Sequence, residues 1–247
     1  MNAPIVEAIR ARTPARLLVG TAGPAYRTAT QLELRRDHAA ARDAVHAELD
    51  HDLLAPLKLL EVRTRASCKA EFLLRPDLGR RLNDTAVATI RAECPSEPDL
   101  QVLVGDGLSA TAVAAQVPIL LPLLLGAAVG RGLQVGRPFA VRYCRVGVLN
   151  HVGEILNPTV AVLLIGERPG LATAESLSAY MAYRPRAGRT DAQRNLISNI
   201  HARGLGHDEA ARRILDLVET MMRMKLSGVD VKETLGAMTL PPASGAV

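Results

Sequence analysis

Aliphatic runs alternate with helix-period stretches along this chain. Val160-Ala-Val-Leu-Leu-Ile165 contains no polar residue and reads as a strand buried on both faces, closed by Gly166. Gln101-Val-Leu-Val104 and Phe139-Ala-Val-Arg-Tyr143 are two further strands, and Leu57 to Val62 and Ala70 to Leu74 read as short extended pieces. Thr28 to about Leu49 is helical, with only a thin apolar stripe of Leu32, Leu34, Ala41 and Val45. Asp77 opens a helix over Gly79 to Ala92, with Leu82, Val87 and Ile90 facing inward, and Pro95-Ser-Glu-Pro98 ends it. Leu149 to Leu156 is a short helix. The last helix runs from Asp208, an N-cap candidate, to Leu226, and Ala210, Ile214, Leu217, Val218, Met221 and Met222 form its core face.

Strands alternating with helices place the chain in the α/β class, as a Rossmann-like, mostly parallel sheet flanked by helices, with an N-terminal helical arm. Residues 1–50 are read as arm and helix, and 51–247 as the Rossmann-like domain. Met1 to about Ala25 is rich in Ala, Arg, Pro and Gly, shows no sustained period and reads as a mobile arm. The 247 residues suffice for one full core, and aromatics are only 2%, so that core is built from Leu, Val, Ile and Ala.

From Gly107 to Gly130 there is no charge, a length that could cross a bilayer. Pro118 and Pro122 are expected to break such a helix, Ser109, Thr111 and Gln116 are polar, and the segment leaves directly from a strand. A helix packed deep against the sheet accounts for the same hydrophobicity, and the membrane reading is set aside.

The net charge of +5 invites nucleic acid, but the arginines are interleaved with acids, as in Arg35-Arg36-Asp37, and aromatic stacking platforms are nearly absent. A solvated surface, or one that meets an acidic partner, fits better. The three cysteines, Cys68, Cys94 and Cys144, have no metal-ligand spacing and suit a reduced, cytoplasmic setting. The N-terminus lacks the apolar region of a secretory signal.

Candidate chemistry is sparse. Gly105-Asp-Gly-Leu-Ser-Ala110 is a G-x-G-x-x-A string between a strand and a helix, as in dinucleotide folds, but no acid follows Asp106 before Glu154 to hold a ribose. A non-catalytic nucleotide- or phosphate-binding module using this loop is one reading. Ser109 as N-cap and Asp106 beside a helix N-terminus is the plainer one. No nucleophile–base set has a recognisable spacing, so no catalytic residue is assigned. The six histidines are scattered, and His201 and His207 make a poor zinc pair. Glu167 and Arg168 follow the Val160 strand into Pro169-Gly170, which puts them at a carboxyl strand end. They are either a solvated turn pair or part of a ligand site.

Gly166-Glu-Arg-Pro-Gly-Leu171 with Glu175-Ser-Leu-Ser178 resembles the signature of the ethanolamine ammonia-lyase small subunit. Arg75-Pro-Asp-Leu-Gly-Arg-Arg81, Asp106-Gly-Leu-Ser109, Arg142-Tyr143 with Arg145-Val146, Gly153-Glu-Ile-Leu156 and Ile197-Ser-Asn-Ile-His201 match in family order, over roughly Thr28 to Gly228. The resemblance implies a light chain that is inactive alone and helps to bind adenosylcobalamin beside a TIM-barrel large subunit. That assembly converts ethanolamine to acetaldehyde and ammonia by a radical mechanism. It implies cobalamin contacts at Val146 and Glu167, and a third at the residue before Ile197-Ser-Asn-Ile-His201, a Cys in the family and Leu196 here. A thiol-specific contact is lost at Leu196; a van der Waals one survives. Arg145 is added because a cation beside Val146 suits the nucleotide phosphate. None of the six histidines lies in a D-x-H-x-x-G sequence, so the cofactor is expected base-on. Family N-terminal extensions are associated with assembly or with targeting to a bacterial microcompartment; this short arm favours neither.

Overall fold

A computed structural model describes residues 3–13, 16–50, 52 and 55–233. The chain order is α1 (Ala3–Ala11), β1 (Thr21–Ala22), β2 (Ala25–Tyr26), α2 (Thr28–His46), β3 (Leu60–Arg63), α3 (Lys69–Leu74), α4 (Asp84–Glu93), β4 (Leu100–Gly105), α5 (Ala110–Gly130), β5 (Phe139–Arg142), α6 (Val148–Leu156), β6 (Val160–Gly166), β7 (Leu177–Tyr183), β8 (Asn195–Ile200) and α7 (His207–Met224). β1 and β2 form a small antiparallel ribbon. The other six strands form one sheet in the order β3-β5-β4-β6-β7-β8. The first four are parallel, and β7 and β8 add an antiparallel edge.

Every residue of β4 and β6 is buried, as charge-free runs in a sheet covered on both faces must be. On one face β4, β6 and β7 pack with α5 and α7 through Val102, Val104, Val162, Leu164, Leu120, Leu124, Ile214 and Val218. On the other, Leu103, Phe139, Val141, Leu163 and Ile165 pack with Leu82 and with α4 and α6 through Ile90, Val148 and Val152. The chain steps from β4 to β5 on one side of β4 and from β5 to β6 on the other, so crossovers of one hand put α5 and α6 on opposite faces. The sheet therefore switches direction at β4, and the carboxyl ends of β4, β5 and β6 frame a crevice there.

Several sequence expectations change. Ala70 to Leu74 is helical, not extended: Glu71 accepts from both the backbone N–H and the hydroxyl of Ser67 at 2.7 Å, and Phe72 is fully buried beneath the turn. The next helix starts at Asp84, because Asn83 caps it by accepting from Ala86 N at 2.7 Å, whereas Asp77 pairs with Arg75 ahead of a short 3₁₀ turn. The N-cap of α7 is Gly206, and Asp208 lies in the first turn, where its charge favours the helix N-terminus. The arm contains α1 and the β1–β2 ribbon, with Arg10 donating to the carbonyls of Leu17 and Leu18.

Pro118 and Pro122 do not break α5, which runs unbroken from Ala110 to Gly130. Each proline forfeits one backbone hydrogen bond. Burial of Val117, Leu120, Leu121 and Leu124 on the inner face compensates for the loss. By length and composition this helix could cross a membrane; its inner face is packed on the sheet and α7, while Ile119, Leu123 and Val129 point outward.

Candidate functional site

Two carboxylates stand one residue beyond neighbouring parallel strands. Gly105 of β4 pairs in register with Ile165 of β6 and with Val141 of β5, so Asp106, Gly166 and Arg142 lie level. Asp106 is 1% exposed. It accepts the backbone N–H groups of Tyr143 and Cys144, one on each oxygen, both at 2.8 Å. Tyr143 sits in the left-handed region at φ 56°, a conformation unfavourable for a bulky side chain, and the two hydrogen bonds hold it there. Burial pushes the Asp106 carboxyl above its usual range, against the pull of nearby buried Lys69 and of the backbone donors.

The Gly105–Ala110 loop is folded in on itself. Ser109 caps α5 by accepting from Ala112 N at 3.0 Å, and its hydroxyl donates to the Ala174 carbonyl at 2.6 Å. Leu108 N donates to the Gly166 carbonyl. Gly107 is at φ +57°, and a methyl there would overlap the Gly166 carbonyl; one on Gly166 would overlap the Ser109 carbonyl. The glycines let two loops touch backbone to backbone. Capping and packing account for this string, and the G-x-G-x-x-A loop offers no open phosphate cradle.

Glu167 is half-buried, and its carboxylate is held by three donors. Ser176 Oγ donates to Oε2 at 2.9 Å, Ser178 Oγ to Oε1, and Asn199 N to Oε1 at 3.3 Å. The β6–β7 pairing creates this arrangement, since Gly166 opposes Leu177 and the period of two puts Ser176 and Ser178 on one face. A carboxylate has about four lone-pair positions, so Oε2 keeps an acceptor site. The loop beyond is tied from two sides: Arg16 donates to the Leu171 carbonyl at 2.9 Å and Arg203 to the Ala172 carbonyl at 2.7 Å.

Arg145, Val146, Glu167 and Leu196 all line one open cleft of about 480 Å³. Its apolar wall comes from Leu108, Val146, Ile165, Tyr180 and Leu196, with Arg145, Glu167, Arg168 and Ser178 as polar groups. Arg145 stacks on Phe72, 4.4 Å from guanidinium carbon to ring centre, and its buried Nε has no hydrogen-bond partner. Burial first, then Arg168 and Arg80, lowers its pKa. Leu196 is 46% exposed on β8, opposite Tyr180 of β7. Burial and the Glu167 charge raise the pKa of the Tyr180 phenol.

Sequence reasoning did not place Tyr180 or the two serines in a site; the alternation Ser176-x-Ser178-x-Tyr180 carried their signal once a hairpin is assumed. The described histidines with side-chain bonds are used elsewhere. His151 Nδ1 accepts from Leu82 N at 3.0 Å, His201 pairs with Asn199, and His207 with Gln116. Among the described residues no group of His, Cys, Asp and Glu is arranged to hold a metal.

Sheet order and cleft define a doubly wound α/β domain with its cleft at the carboxyl ends of the parallel strands, where such sheets take ligands. The chain matches the ethanolamine ammonia-lyase light chain family over residues 4–232, and it belongs to that family. It is 44% identical over 224 residues to the ethanolamine ammonia-lyase small subunit of Clostridium perfringens, covering 91% of this chain and 76% of that protein. The corresponding subunit of Clostridium acetobutylicum is 42% identical over 224 residues, 91% of this chain and 93% of the relative. That of Fusobacterium nucleatum is 44% identical over 221 residues, 90% and 75% respectively.

Proposed function

We propose that this chain is the cobalamin-contacting small subunit of an ethanolamine ammonia-lyase, inactive alone, working with a TIM-barrel large subunit on base-on adenosylcobalamin in the cytoplasm. One observation carries the reading: Arg145 and Val146, Glu167, and Leu196 come from three separate segments and line one cleft at the switch point of the sheet. The cleft suits one face of a corrinoid. Val146, Ile165, Tyr180 and Leu196 offer an apolar surface, and Glu167 offers an oriented acceptor to an amide or ribose donor. The cleft is open and of modest size, so a second protein surface would close over the ligand. No histidine lines it among the described residues, which favours a cofactor that brings its own lower base.

When bound, adenosylcobalamin supplies the radical chemistry of the lyase reaction. This chain's residues bind and orient. Ser176, Ser178 and Asn199 fix the Glu167 carboxylate, so little freedom is lost on binding. Removing that acceptor should weaken cofactor binding by about 1–3 kcal/mol, roughly five- to 150-fold. In the assembled enzyme Glu167→Ala should therefore raise the apparent KM for adenosylcobalamin while kcat at saturating cofactor changes little. An unchanged cofactor affinity in a folded, assembled variant would overturn the assignment.

A further inference from the structure

Beside the cleft, and sharing Arg145 and Val146 with it, lies a larger cavity of about 650 Å³. Three segments form it: 76–81, 145–154 (the turn into α6 and most of that helix) and 187–194. Its charges do not balance. Arg80, Arg81, Arg145, Arg189 and Arg194 face it, against the carboxylates Asp77, Glu154 and Asp191. All three carboxylates are engaged: Asp77 by Arg75, Asp191 by Arg194, and Glu154 by the Ala187 N–H at 3.1 Å. Among the described residues Arg80, Arg81, Arg145 and Arg189 enter no ion pair, and their side chains make no hydrogen bond.

Two of the guanidiniums are anchored from below. The Arg194 side chain is only 6% exposed, yet its Nε is buried without a partner, and the same holds for Arg145 Nε. Arg145 is further fixed by its stack on Phe72, and it lies close enough to Arg80 and Arg168 for mutual repulsion to be felt. Holding like charges together around a cavity with unfilled donors is unfavourable until an anion arrives. One guanidinium fork matches a carboxylate as well as a phosphate, but several forks around one cavity suit a phosphate, whose oxygens diverge to more than one of them.

We propose that the cavity between these three segments is a binding site for a phosphate ester, recognised by Arg80, Arg145, Arg189 and Arg194. For Arg145 the proposal extends the cofactor reading, which already offers that cation to a nucleotide phosphate; Arg80, Arg189 and Arg194 are new to it, and their side chains face the cavity whatever fills the neighbouring cleft. The ester has two possible sources. It is either the phosphodiester of a corrinoid whose ring lies in the cleft, or a free phosphate ester such as a nucleotide.

The test uses the full chain, alone and co-expressed with its large subunit, and the double variant Arg80→Gln with Arg189→Gln, whose side chains hold nothing together. Thermal melting confirms that the variant folds. Calorimetric titration with adenosine monophosphate, cobalamin and cobinamide (a corrinoid without the phosphate-bearing nucleotide loop) reads the site. Adenosine monophosphate binding that weakens about tenfold or more in the variant supports the proposal with a free ester as source. Cobalamin binding that weakens by that factor while cobinamide binding does not supports it with the corrinoid as source. Unchanged affinity for both phosphate-bearing probes overturns it. So does a variant defective only in subunit assembly, which would give these arginines to a partner's carboxylates. If adenosine monophosphate binds as expected while no corrinoid binds the assembled wild type, the cofactor reading fails and the phosphate site stands.

Discussion

Asp106 and Glu167 occupy equivalent places at the ends of adjacent parallel strands, yet one is sealed inside the fold and the other opens on the cleft. Each carboxylate is held by oriented donors. The Asp106 donors are backbone N–H groups just past β5, on the buried residues Tyr143 and Cys144. Glu167 is held mainly by serine hydroxyls at the rim of an open cleft. A strand end on the ligand side of a sheet therefore does not mark a binding residue by position alone. What separates the two is access: Asp106 is buried with its oxygens turned to the β5 end, whereas Glu167 keeps an acceptor site open to the cleft.

The strongest test of this contrast is Asp106→Ala. It strands two buried N–H groups, removes the larger of the two counter-charges of buried Lys69 (the other is Glu48) and releases the left-handed Tyr143. We expect a loss of about 3–5 kcal/mol in denaturant unfolding, with little soluble complex recovered. A stable Asp106→Ala protein that merely binds cofactor poorly would invert the comparison. Glu167→Ala should act the other way, with stability within about 1 kcal/mol of wild type and its main effect on cofactor affinity. A melting loss as large as that of Asp106→Ala would make both residues structural.

Smaller effects sharpen the contrast. Replacing Ser176 and Ser178 together by Ala leaves the Glu167 charge in place and frees its orientation. Cofactor affinity should fall by about 1 kcal/mol or less per hydroxyl, measured by titration of the assembled enzyme, with unfolding midpoints little changed. His151 is a third kind of group, a fold-holding base at the edge of the arginine cavity. Its Nδ1 accepts from Leu82 N, and burial lowers its pKa below 6.5. The fold then favours the neutral ring, so its contribution is full above about pH 6.5 and lost as pH falls through the depressed value. Unfolding midpoints against pH should slope downward on acidification in wild type and less so in His151→Gln; identical slopes would remove His151 from this role. The smallest effect is expected at Leu196→Cys. A half-exposed leucine gives up apolar contact but leaves the backbone in place, so cofactor affinity should change by no more than about 1 kcal/mol. A large gain would mean that a thiol matters at this position.

The interior of the sheet was legible because burial on both faces demands charge-free runs, and β4 and β6 are such runs. The Ser109 cap and the core face of α7 followed from local chemistry that tertiary packing did not override. Short elements were harder. The α3 helix depends on two Glu71–Ser67 hydrogen bonds and on Phe72 packing against Tyr143, far away in sequence, and no periodicity develops over six positions. Choosing Asp77 over Asn83 as a helix start failed for a related reason, since Arg75 captures Asp77 and only the fold reveals that pairing. In the cleft, Glu167 could be placed at a strand end from the chain alone. That Asp106 would turn inward could not, because its partners lie 37 and 38 residues away. The arginine cavity was hidden for the same reason: its three walls are far apart in sequence and each looks like ordinary surface charge.

The loop that carries the family signature is moored to both halves of the chain. Arg16, just after α1, holds the Leu171 carbonyl, and Arg203, ahead of α7, holds that of Ala172. These two clamps make the rim of the cleft a listening post for remote segments. Cleavage or an insertion between α1 and α2 would slacken one clamp without touching a cleft residue. The Glu167 wall would then relax through a peptide that neither contacts a ligand nor belongs to the sheet. A change in the arm would then reach the mouth of the site through the Arg16 hydrogen bond, in the way a guy-rope sets the lean of a pole.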